Sequence, residues 1–283
     1  MRTSHLLAAL FLALSFCLAP AASAQELAKR TLFKSDSFDF GSGGTVSIKG
    51  TPVGSISVEG WNNNRIQIDA EIELSGRTSL ELDELAKVTG FVLDESIGHT
   101  SITSVGTHDK RYMKRVAKKF PKELLGLPFR IDYVIKVPRY SDLQIDGGNG
   151  DLSISGVDGV IRVNFLESNA KLDLIGGVIL ATIGTGIVDV TIPARNWRGR
   201  TVDIALTMGT MNVHLPPGLN AEVDASVLRT GSIENSYPNL QPRIRKGAFT
   251  DKLIAARAGN GGISLKFTVG DGALKIDQVE RPE

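Results

Sequence analysis

Ile179-Leu180-Ala181-Thr182-Ile183-Gly184-Thr185-Gly186-Ile187-Val188-Asp189-Val190-Thr191-Ile192 is the stretch that decides the fold. Ile179, Ala181 and Ile183 alternate with their neighbours, the pattern breaks at Thr185-Gly186, and Val188, Val190 and Ile192 resume it. Alternation with period two marks a strand with one buried face. The glycine at the break can supply the positive φ that a tight turn needs.

The same unit recurs on both sides. Leu143 and Ile145 lead to Asn149-Gly150, then Leu152 and Ile154. Ile161 and Val163 lead to Asn169-Ala170, then Leu172 and Leu174. Val202, Ile204 and Leu206 lead to Met208-Gly209, then Met211 and Val213. Val223, Ala225 and Val227 lead to Thr230-Gly231 and Ile233, and Ile254 and Ala256 lead to Asn260-Gly261, then Ile263 and Leu265. Near the start, Val46 and Ile48 precede Gly54, Ile56 and Val58.

Leu143, Ile161 and Ile179 stand 18 residues apart, and later steps are longer. A period near 20 with two short strands per unit suggests an all-β solenoid, each unit one coil stacked on the next. An antiparallel β-sandwich or meander would show the same alternation. Gly54, Gly150, Gly186, Gly209, Gly231 and Gly261 are the expected structural turns. Stacking predicts a polar column of Asn149, Asn169, Thr185, Met208, Thr230 and Asn260 just before those turns. A second column holds Ser153, Asp173, Asp189, Asn212, Glu234 and Ser264. It makes Asp173 and Asp189 like-charged neighbours that a loosely held divalent cation could relieve.

Outward from the repeats, residues 1–24 read as a signal peptide. Arg2 precedes the apolar run Leu6–Leu18, which is too short to span a bilayer, and Ala22-Ser23-Ala24 is a small-x-small cleavage site. Phe16 is not the small residue a lipoprotein signal carries before its cysteine, which argues against lipid attachment at Cys17. The chain has 32 basic and 31 acidic residues. Removing Arg2 with the leader leaves 31 of each, a balance that argues against a nucleic-acid partner. Cys17, the single cysteine, leaves with the leader, so the mature chain has no thiol or disulfide chemistry. No later apolar run is long enough for a transmembrane segment.

Residues 25–283 then form a single β-repeat domain, with a non-repeat insertion at about 75–128 and a loop at about 237–252. Residues 25–44 read as a loose arm or first edge strand, residues 80–88 as a short helix or hairpin arm, and residues 270–283 as a frayed or capping tail. Trp61 beside Asn62, Asn63 and Asn64 offers either a sugar-stacking platform or a cover over the end of the core. The insertion carries Lys110, Arg111, Lys114, Arg115, Lys118, Lys119 and Lys122. On a helix, Tyr112, Val116 and Phe120 would form an apolar stripe beneath these cations. The segment is a candidate contact for an anionic surface, or simply a solvated face.

No catalytic constellation stands out. His99, His108 and His214 are far apart in the chain, with no nucleophile or phosphate-cradling motif near them. Asp146, Asp151, Asp173, Asp189, Asp203 and Glu234 lie on the polar phase of strands, where acids are ordinary; a polysaccharide-active β-helix enzyme is the least favoured reading. Gly147-Gly148-Asn149-Gly150-Asp151 is a poor match to a calcium-binding nonapeptide, with one copy where several are needed. The reading is therefore no enzyme, no cofactor and no metal.

Val58-Glu59-Gly60-Trp61-Asn62 with Ile66-Gln67-Ile68, the Val137-Pro138 pair and the serial Gly-x-apolar-x-apolar copies resemble a bacterial exported β-strand-repeat family, the "putative adhesin" domain of unknown function. The resemblance spans most of residues 45–267. It implies a right-handed β-helix-like stack and an extracytoplasmic place, periplasmic or at the cell surface. It brings no active site. The expected function is a non-catalytic structural or adhesion module of the envelope, its partner and oligomeric state undefined. The competing expectation is an envelope sensor or accessory protein that binds an anionic polymer or membrane through the basic segment.

Overall fold

The computed structural model describes residues 27–50, 52–192, 197–243 and 249–279, so the leader lies outside the described residues. The fold is all-β, with seventeen strands joined in one large mixed sheet. The first nine are β1 (Ala28–Asp39), β2 (Thr45–Lys49), β3 (Ile56–Trp61), β4 (Arg65–Gly76), β5 (Gly90–Ser96), β6 (His99–Val105), β7 (Phe129–Pro138), β8 (Asp142–Asn149) and β9 (Leu152–Ser155). The rest are β10 (Val160–Asp173), β11 (Val178–Thr191), β12 (Thr201–Leu215), β13 (Ala221–Val227), β14 (Gly231–Asn235), β15 (Leu240–Pro242), β16 (Leu253–Ala258) and β17 (Ile263–Gln278).

The repeat strands pair in parallel, along two columns. In the first, Val46 stands beside Leu143, then Ile161, Ile179, Val202, Leu265 and Val223. In the second, Ile56 stands beside Leu152, then Ala170, Val188, Met211, Leu274 and Ile233. All of these side chains but Ile233 are buried, so the alternation places one column's apolar phase and the other's in a common core. Each level of the stack is called a rung below. Antiparallel pairs add to its ends: β4 lies beside β7 with β1 outside it, β5 beside β6, and β16 beside β13 with β15 outside it.

The two columns meet at a corner made of small residues. Ser168, Gly186, Gly209, Gly272 and Gly231 follow one another from strand to strand. Gly186 has φ 132° and Gly209 φ 138°, which L side chains avoid. A Cβ on Gly209 would sit 1.9 Å from the Gly186 carbonyl oxygen, and one on Gly186 would sit 2.0 Å from that of Ser168. Backbone packs directly on backbone there.

Three sequence expectations need correcting. The expected corner at Asn169-Ala170 lies instead at Glu167-Ser168, because Glu167 pairs with Thr185 and Asn169 with Ile187. That rung turns at a buried serine rather than a glycine, so an alignment keyed to the smallest residue slides by two. With it falls the acidic pair: Asp173 faces Thr191, and Asp189 has Lys171 on one side and Asn212 on the other. The second column thus reads Ser153, Lys171, Asp189, Asn212, Lys275, Glu234.

The last copy is also different. Ile254 and Ala256 belong to β16, which runs antiparallel on β13, and Asn260-Gly261 is the turn from β16 into β17. The corner of β17 is Asp271-Gly272, and the expected frayed tail is its second half, through Gln278. β17 lies between β12 and β13, so the copy at Val223 does not stack directly on the copy at Val202.

The insertion contributes structure of its own. Helix α1 (Ser79–Val88) buries Leu82, Leu85 and Val88. Thr78 caps it, its Oγ1 accepting from Glu81 N at 3.2 Å, and the Glu81 carboxylate ties back the preceding residue by accepting from Arg77 N at 2.7 Å. β6 then pairs with β2 in parallel, extending the first column.

Candidate functional site: a basic element at one end of the stack

The basic segment connects β6 to β7. Those strands flank β2 and β3, with β5 and β4 the next strands out, so the segment lies near one end of the stack. His108 opens it, its ring 5.4 Å from that of Phe129; burial lowers the His108 pKa, against a smaller opposing pull from Asp109. Asp109 then caps a helix, its Oδ1 accepting from Arg111 N at 2.9 Å and Tyr112 N at 3.0 Å.

Helix α2 (Lys110–Val116) has seven residues and buries Met113. The expected stripe of Tyr112, Val116 and Phe120 does not form: the helix ends at Val116, which is 50% exposed, and Ala117 is not helical. Pro121 opens a 3-10 turn (Lys122–Leu124), and Leu124 and Leu127 are buried beneath it. Three buried side chains therefore pin a short, polar element to the core.

Lys110, Arg111, Lys114, Arg115, Lys118, Lys119 and Lys122 are all exposed. None of them forms an ion pair among the described residues; the Arg115 guanidinium lies 5.9 Å from the Tyr112 ring. On the faces of the sheet, cations are commonly matched. Lys266 pairs with Asp203 at 2.9 Å and Lys275 with Glu234 at 3.3 Å, while Arg243 pairs with both Glu222 and Asp224. Arg229 binds Asp271, which also accepts from Thr230; these donors hold the Asp271 carboxyl well below the usual carboxylate range.

The other candidate residues are separate. Trp61 is half-buried, donates Nε1–H to the Arg65 carbonyl at 2.9 Å and has Lys136 Nζ 5.7 Å from its ring. Asp189 accepts from Asn212 Nδ2 at 2.6 Å, and Asp151 from Asn169 Nδ2 at 3.3 Å. Asp146 lies on β8, whose register neighbours there are Lys49 and Asn164. His99 is on β6 and His214 on β12, so the histidines do not come together. Sequence reasoning missed that His214 Nδ1 lies 2.6 Å from Asp277 Oδ1, because their strands are neighbours only through the insertion of β17. Among the described residues no cluster of three or more His, Cys, Asp or Glu could hold a metal ion. No helix among them is long and apolar enough to cross a membrane.

No protein-family model matches the chain, and no curated protein matches it in sequence. Solved structures are similar to it, among them two described as follows. A "putative cell adhesion protein" from Clostridium sporogenes is 17% identical, over 88% of this chain and 100% of its own, with a TM-score of 0.43. A "putative adhesin" from Bacteroides fragilis is 12% identical, over 88% of this chain and 97% of its own, with a TM-score of 0.34.

Proposed function

We propose that this protein is an exported, non-catalytic β-repeat module of the cell envelope, acting through contact rather than chemistry. In this reading its rungs wind as the coils of a solenoid. The observation that carries it is the unbroken parallel register of the two columns, each eight strands long once β6 and β7 are counted. Such a stack presents extended faces along which mostly polar side chains alternate with the buried ones, with Leu166, Leu180, Ile187 and Met208 also exposed.

Chain length supports the winding. β10 has 14 residues, and Val178, the first residue of β11, lies beside Val160, the first of β10. Fully extended, β10 would run about 46 Å, yet the step from Asp173 to Val178 reaches at most about 18 Å. The strand must double back at the Ser168 corner for the chain to begin the next rung. The polar column is matched across strands, Lys171 beside Asp189 and Lys275 beside Glu234, so the face needs no bound ion to hold it.

Export is tested by expressing the chain from Met1 in a Gram-negative host and fractionating the cells. The mature protein is expected in the periplasm or at the surface, with a mass corresponding to loss of residues 1–24. A full-length product retained in the cytoplasm refutes export.

A further inference from the structure

We propose that the segment from Lys110 to Lys122 docks the end of the stack onto a phosphate-bearing lipid surface. Four observations converge on it. Its seven cations are exposed and without ion pairs among the described residues, although cations elsewhere in the fold are widely matched. Against them the segment sets Asp109, whose carboxylate is engaged in capping, and the neighbouring Glu123. An uncompensated cluster of this kind is drawn to the negative potential of an anionic membrane.

The second observation separates a lipid from a soluble polyanion. Val116 and Leu125 are 50% and 43% exposed, and Tyr112 is half-buried, all interspersed with the cations, while Phe120 packs against the core. A dissolved polyphosphate would meet only the charges. A lipid headgroup layer also accommodates apolar side chains at its boundary with the acyl region, and lysine stems reach along that boundary. The third is rigidity: Met113, Leu124 and Leu127 anchor the segment, so its cations are presented on a fixed base. The fourth is place, since the segment joins β6 and β7, the last parallel strand of each column, near one end of the stack, away from the middle of the sheet faces.

The inference deepens the contact function proposed above and depends on export only for where such a surface is met. Binding is a property of the purified chain, so the two readings fail separately. The test is co-sedimentation with phosphatidylcholine vesicles, with and without phosphatidylglycerol, at low and high sodium chloride. Binding is expected only with phosphatidylglycerol, weakening as salt shortens the screening length. The combined change Lys114→Gln, Arg115→Gln, Lys118→Gln and Lys119→Gln should weaken it more than about tenfold, given the attraction each cation contributes near a surface. Val116→Ser with Leu125→Ser should weaken vesicle binding but leave any binding to soluble polyphosphate unchanged. Circular dichroism and melting confirm that each variant is folded. Equal vesicle binding by the four-fold variant overturns the proposal. So does a native protein that binds polyphosphate but not vesicles, or that binds neither.

Discussion

At the scale of single residues, the corner column is the least forgiving place in the fold. Gly209→Ala puts a Cβ within 1.9 Å of the Gly186 carbonyl oxygen and forces an L residue to φ 138°. Backbone strain of this kind costs about 1–3 kcal/mol before any clash is counted, and denaturant unfolding should register at least that loss. Gly126→Ala is the matched control, because nothing lies within 4 Å of its Cβ position; it should change stability by less than about 0.5 kcal/mol. Tyr133 gives a second residue-level expectation. Its hydroxyl lies 2.7 Å from Ser104 Oγ, and burial pushes its pKa up to about 12. The unfolded chain releases that proton near pH 10 while the folded chain keeps it, so the stabilisation is intact below pH 10. It declines towards pH 12 at about 1.4 kcal/mol per unit. Tyr133→Phe should remove that part of the slope. It should also lower stability at neutral pH by about 1–3 kcal/mol, since Ser104 is left buried without its partner.

Among the elements, helix α1 offers a local check: Thr78→Ala removes the oxygen that Glu81 N donates to and should cost about 1 kcal/mol in thermal or denaturant melts. This helix also shows what the sequence can and cannot disclose. Thr78, Glu81 and the spacing of Leu82 and Leu85 are local signals, and they fix both its start and its buried face. Period-two alternation is as local, which is why the buried residues of β10, β11 and β12 could be read directly. Register is not local. Ser168 in a position held by glycine in the adjacent rungs is invisible until β10 lies beside β11, and the shift carried Asn169 and Asp173 to the wrong neighbours. The basic element divides the same way. Its seven cations can be counted from the chain, but their lack of partners emerges only when the acids of the sheet are seen paired elsewhere. The stripe of Tyr112, Val116 and Phe120 failed because it assumed a helix longer than the seven residues that form.

For the whole molecule, β17 is the strand on which the far end of the stack depends. It lies beside β12 from Thr201 to Leu215, β13 from Ala221 to Val227 and β14 from Gly231 to Asn235. Ending the chain after Gly262 should leave those strands unpaired with one another, exposing Leu206, Met211 and Val223 from the core. Limited proteolysis is expected to degrade residues beyond about 200 in that variant, and its cooperative unfolding transition should be lost or split. A truncated protein as resistant as the intact one would contradict the placement of β17. The same placement sets an order of events. β13 follows β12 by a few residues and carries the same alternation, so it is made before β17 and suits the edge that β17 must occupy. Loop closure favours the nearer strand, because the entropy lost grows with the length enclosed. Docking of β13 on β12 would compete with the entry of β17, whose Thr201–Ser264 contact spans 63 residues of chain. The fold thus asks its last strand to settle between two earlier ones, and refolding is expected to be slower than for a stack assembled in chain order, which stopped-flow refolding would show.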